Sequence, residues 1–137
     1  FFELGAGSPY MLLTVPVTLL ITEELKDAGY DVAAASNGKE ALSLLFDGNR
    51  NEPDLIIMDI RMPKMDGIDA LGYILKSKLD IPVVIHSAYA GYRDNPIVRT
   101  ADAYVLKSHD LTRLKETVDE LINRNAEKTE QRRAANM

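Results

Sequence analysis

The stretch "DLIIMDIRMPKMDG" (residues 54–67) decides the fold. Leu55 to Met58 are all apolar, and the run closes on an acid, Asp59. A turn-rich segment with Pro63 and Gly67 comes next. A short apolar run bounded in this way reads as a strand buried on both faces. Strands of that kind belong to parallel sheets with helices packed on each side, so helices and strands should alternate around it.

They do. Upstream, "YDVAAAS" (30–36) reads as a strand and "YMLLTV" (10–15) as another. Between them Val17, Leu20, Ile21, Leu25 and Ala28 keep helical spacing, with Pro16 suited to the first turn and Gly29 to the stop. Asn37 can cap a second helix, with Glu40 three residues on and Ala41, Leu44 and Leu45 facing inward. Residues 47–53 read as loop. Downstream, residues 68–77 are helical and "IPVVIHSA" (81–88) is a fourth buried strand. Gly91, Asp94, Asn95 and Pro96 limit any helix over 89–100 to a short or broken one. "DAYVLK" (102–107) is the fifth strand. Residues 110–124 form the clearest helix, with Asp110 able to cap it and Leu111, Leu114, Val118, Leu121 and Ile122 on one face. The sequence thus predicts an α/β, doubly wound sheet. It divides into a domain over 1–125 and a polar C-terminal tail over 126–137, which extends the last helix before fraying.

Composition narrows the functions. The chain has 137 residues, 46% hydrophobic and 27% charged, as in an ordinary globular domain. A net charge of −5 argues against direct nucleic-acid binding. The absence of cysteine fits a cytoplasmic protein and removes thiol chemistry. Two histidines, His86 and His109, make a His-based metal site improbable. The uncharged run between Glu3 and Glu23 is broken by Gly, Ser, Pro and Thr, and no basic residue precedes it, so neither a membrane span nor a signal peptide is expected.

In open parallel sheets, ligands sit at the carboxyl ends of the strands. Asp59, Ser87 and Lys107 stand there. "DLIIMDIRMPKMDG", "IPVVIHSA", "ADAYVLKS" and "AGYDVAAASNGKEAL" (28–42) together resemble the receiver domain of two-component response regulators, over about residues 16–124. The resemblance implies a flavodoxin-like (βα)5 sheet in strand order 2-1-3-4-5. It also implies that Asp59 accepts a phosphoryl group from a histidine kinase, in a phosphorelay and not as a turnover enzyme. Lys107 would meet the phosphoryl oxygens, Ser87 would hydrogen-bond one of them, and Tyr104 would be the aromatic switch. An amphipathic strand residue is the plainer reading of Tyr104. Mg²⁺ is implied, held by Asp59, the backbone carbonyl of Arg61 and an acidic pair after the first strand, while Met62, Pro63 and Gly67 shape the loop. Implied partners are a sensor histidine kinase, a downstream target or output domain, and a second copy, with 110–124 and the adjoining strand as the docking face.

Three departures stand out. The region 89–100 is shorter than is usual in the family and contains Pro96, which tells against a fourth helix and the docking face it would carry. Ser108 occupies a position where the family most often has proline. More seriously, counting back from Gly29 puts the acidic pair at Leu12 and Leu13, whereas matching Pro16 puts it between Leu13 and Val15, through Thr14. Neither register supplies a carboxylate, so Mg²⁺ binding should be weakened. A degenerate receiver that binds partners without phosphorylation is the alternative. A small α/β enzyme working on a phosphorylated metabolite is less well supported, since "GAGS" (5–8) precedes a strand instead of coming after one.

Overall fold

In the computed structural model, five parallel strands hydrogen-bond in the order β2-β1-β3-β4-β5. They are β1 Tyr10–Thr14, β2 Asp31–Ala35, β3 Leu55–Met58, β4 Val83–Ser87 and β5 Ala103–Leu106. Among the described residues four α-helices connect and succeed them: α1 Leu19–Asp27, α2 Gly38–Leu45, α3 Gly67–Lys76 and α4 Thr112–Ala135. The structure describes residues 9–14, 19–35, 37–46, 52–60, 67–77, 80–88, 90–108 and 110–135. Expectations that rest on Val15, Pro16, the loop at 47–51, Arg61, Met62, Pro63 and His109 lie outside those residues. Among the described residues no helix is long and apolar enough to cross a membrane.

The apolar pattern builds a core on each face of the sheet. Leu12, Ile56, Met58 and Ile85 meet Ala41 and Leu45 of α2 and Ala70, Leu71 and Ile74 of α3. Met11, Leu13, Leu55, Ile57, Val84 and Val105 meet Ile21 and Leu25 of α1 and Leu114, Val118 and Leu121 of α4. β3 is buried at all four positions, as its unbroken apolar run requires. β1 lies between β2 and β3, with Leu13 opposite both Ala34 and Ile57.

Local signals do what their chemistry suggests. Gly29 adopts φ 98°, and the turn after α1 carries bonds from Gly29 N–H to the Lys26 carbonyl (3.0 Å) and from Tyr30 N–H to the Leu25 carbonyl (3.1 Å). That is a Schellman stop, which favours glycine at the left-handed position. The Asn37 side chain accepts from Glu40 N–H at 2.9 Å and so caps α2. The Asp110 carboxylate accepts from Thr112 N–H at 2.9 Å, just ahead of α4. Residues 90–100 hold two 3-10 helices, Ala90–Asp94 and Val98–Thr100, where a regular (βα)5 unit has its fourth α-helix. Between them Asn95 Oδ1 accepts from Ile97 N–H at 2.9 Å.

α4 runs unbroken to Ala135, so the polar tail from residue 126 continues the last helix. A pair of aspartates that no sequence motif marks clasps the strand starts. Asp102 N–H donates to the Val83 carbonyl (2.9 Å), and the Asp102 carboxylate accepts from Val83 N–H (2.8 Å). Asp54 does the same for Tyr10, at 2.7 and 2.8 Å. Val83 is buried, so Asp102→Ala is expected to cost about 1–3 kcal/mol by stranding its amide. Asp54→Ala should cost less, because that bond is exposed and water can replace it. Urea midpoints of the two variants measure the contrast, and equal losses would count against it.

Candidate functional site

The direction of chain progression across the sheet reverses between β1 and β3, and a crevice forms at such a switch point. Asp59 comes directly after β3 at that end and is 7% exposed. Ser87 is the last residue of β4 and is fully buried. Lys107 comes directly after β5. Its N–H donates to the Ser87 carbonyl at 2.8 Å, which prolongs the β4–β5 ladder and fixes where the lysine side chain starts. Lys107 Nζ then reaches across and pairs with Asp59 Oδ2. The lysine side chain is 31% exposed and the aspartate side chain 9%. The ion pair expected from the strand ends is therefore present, with its carboxylate on the dry side and its ammonium on the wet side.

Tyr104 lies within β5 opposite Ile85 and is half-buried against the α2/α3 core. The Arg93 guanidinium stands 5.2 Å from the centre of its ring, a cation–π distance. Tyr104 is thus built into the sheet, with its open side toward the 3-10 segment.

His86 is a neighbour of the site that the sequence motifs do not single out, although a histidine inside the apolar run of β4 is a visible signal. It is 6% exposed and sits one residue before Ser87, opposite Val105. Burial pushes its pKa below the ordinary 6.5; the Lys107 ammonium adds to this and Asp59 opposes it. The folded state therefore keeps His86 neutral where the unfolded chain would take up a proton. Unfolding then binds a proton, so stability is complete above pH 6.5 and declines as pH falls below it. The slope can reach at most about 1.4 kcal/mol per pH unit. Melting temperature measured down to the onset of carboxylate titration should show this fall, and His86→Leu should flatten it. An unchanged slope in that variant would clear His86 as its source.

The ladder shows what the residues of β1 do. Leu12 and Leu13 are 1% and 0% exposed and point into opposite cores, with Leu13 level with Ile57. They are packing residues inside the strand, and Thr14 is its last residue. The magnesium donor set does not fit the residues present. No acidic residue occurs between Glu3 and Glu23, and among the described residues no three His, Cys, Asp or Glu gather as a metal site.

The family model of the response regulator receiver domain matches residues 16–119. The chain is 39% identical over 88 residues to the regulatory protein AtoC of Escherichia coli, covering 63% of this chain and 18% of that one. It is 35% identical over 98 residues to the response regulator SaeR of Staphylococcus aureus, covering 70% of this chain and 41% of that one. The chain thus spans less than half the length of either relative. Among solved structures it resembles the response regulator TrrA of Thermotoga maritima in complex with Mg²⁺–BeF. That match has 36% identity and a TM-score of 0.74, covering 83% of this chain and 98% of that one. TrrA in complex with the histidine kinase ThkA matches at 38% identity and a TM-score of 0.73, covering 82% of this chain and 97% of that one.

Proposed function

The chain belongs to the response regulator receiver domain family, the signalling module of two-component systems, and from that premise we propose that Asp59 is its phosphoacceptor. The observation that carries this is the Asp59 carboxylate, nearly buried at the end of the central strand and in contact with Lys107. An Asp59 oxygen attacks the phosphorus of a phosphohistidine on a sensor kinase. The new P–O bond makes an acyl phosphate, the P–N bond breaks, and the released imidazole nitrogen takes up a proton. Lys107 then turns from the carboxylate to the phosphoryl oxygens, and Ser87 can donate its hydroxyl to one of them. TrrA was solved with a histidine kinase, which supports a kinase as the donor here. The readout falls to the surface around Tyr104 and the exposed Leu106, which would meet a downstream target, an output domain or a second copy.

The test is to incubate the protein with a small phosphoramidate donor and weigh it intact. One phosphoryl adduct is expected, and it should be absent from Asp59→Asn. An adduct that persists in the variant would move the site elsewhere. No adduct at all would favour a module that binds partners without phosphorylation.

A further inference from the structure

We infer that Lys107, and not a divalent cation, supplies the positive charge at Asp59 in this chain, and that the described residues at the strand ends form no magnesium site. This deepens the reading of Asp59 as acceptor and draws its significance from it, but the binding claim can be tested without phosphoryl transfer.

Magnesium asks for near-octahedral oxygen ligation, usually anchored by one or two protein carboxylates besides phosphate. β1 is the strand next to β3 on the side away from β4, so it is placed to help Asp59 hold a cation. Its last three residues are Leu12, Leu13 and Thr14, and the two leucines are spent on the cores. Asp59 is left without a carboxylate from β1 to share a cation.

A competing charge is already in place. The Lys107 ammonium touches Asp59 Oδ2, and its backbone is held by the Ser87 carbonyl at 2.8 Å. A dication approaching the same oxygen would have to displace the ammonium in contact with it, and screening is weak beside a carboxylate only 9% exposed.

The likeness to known proteins divides at the same point. The family model begins at residue 16, after β1 has ended, yet the structural match takes in 98% of TrrA. β1 pairs with β2 and β3 in the sheet, while its residues lie outside the span that the family model matches.

The test uses Mn²⁺ as a paramagnetic probe on ¹⁵N-labelled wild-type protein. No broadening concentrated on the amides of Asp59, Ser87 and Lys107 is expected. Thr14→Asp, which returns a carboxylate to the end of β1, is expected to show such broadening, saturable and reversed by excess Mg²⁺. Concentrated broadening in the wild type, competed by Mg²⁺ and lost in Asp59→Asn, would overturn the inference. A folded Thr14→Asp that stays silent would overturn the assignment of the defect to β1. Neither result depends on a phosphodonor, so failure of this inference is separable from failure of Asp59 as acceptor.

Discussion

Lys107→Ala is expected to slow phosphoryl uptake by Asp59 about 10²–10³-fold, the usual cost of removing one fixed group that stabilises charge in a transition state. The incoming phosphoryl group and the Asp59 carboxylate are both anionic, and Lys107 is the cation in contact with that carboxylate. If Lys107 takes the place of a metal here, as inferred above, the loss should be undiluted. Single-turnover uptake monitored by intact mass measures it. A rate near that of wild type would show that charge at this site is balanced by some other group. Lys107→Arg should recover only part of the rate, because a planar fork cannot take the place of a compact ammonium. Asp59→Asn should abolish uptake yet leave stability close to wild type. The remaining lysine side chain, 31% exposed, can turn its charge to water.

Leu13→Ala is expected to destabilise the fold by about 2–5 kcal/mol, and Leu12→Ala by a similar amount on the opposite face. Against a total stability of about 5–15 kcal/mol, either change is severe. Both leucines lie in a strand paired on each side and have almost no exposed surface, so little can collapse into the space they leave. Phe46→Ala serves as the control, since Phe46 is 53% exposed and its loss should fall within about 0.5 kcal/mol. Urea unfolding at unchanged slope gives the comparison. Small losses at Leu12 and Leu13 would mean that β1 is not the packed inner strand described.

These variants also mark what the sequence can and cannot convey. The burial of β3, the Gly29 stop and the Asn37 cap on Glu40 are legible because each depends on residues close in the chain. So is the meeting of Asp59 with Lys107, once the strand order is known. The Asp102–Val83 and Asp54–Tyr10 clasps are not legible, since they depend on which strand starts lie side by side. Leu12 and Leu13 are legible as strand residues, but which strands flank them is set by the ladders to β2 and β3. His86 can be noticed as a polar residue in an apolar run, but its nearness to Lys107 belongs to the β4–β5 pairing. Falling apolar content marks the polar tail from residue 126, which extends α4 all the same. Glu, Lys, Gln, Arg and Ala favour helix, and propagation from an anchored helix costs far less than starting a new one.

Viewed as a length, α4 is a rod of about 36 Å. Its packed portion ends near Leu121 and Ile122, which leaves Asn123 to Ala135 reaching about 20 Å beyond the core. The packed end is fastened by Lys115 to Glu24 of α1 at 3.1 Å and by the Tyr30 hydroxyl donating to Asp119. A lever anchored at one end magnifies small motions at the other. With that reach, a tilt of about 5° where α4 leaves the sheet would carry Ala135 through roughly 2 Å.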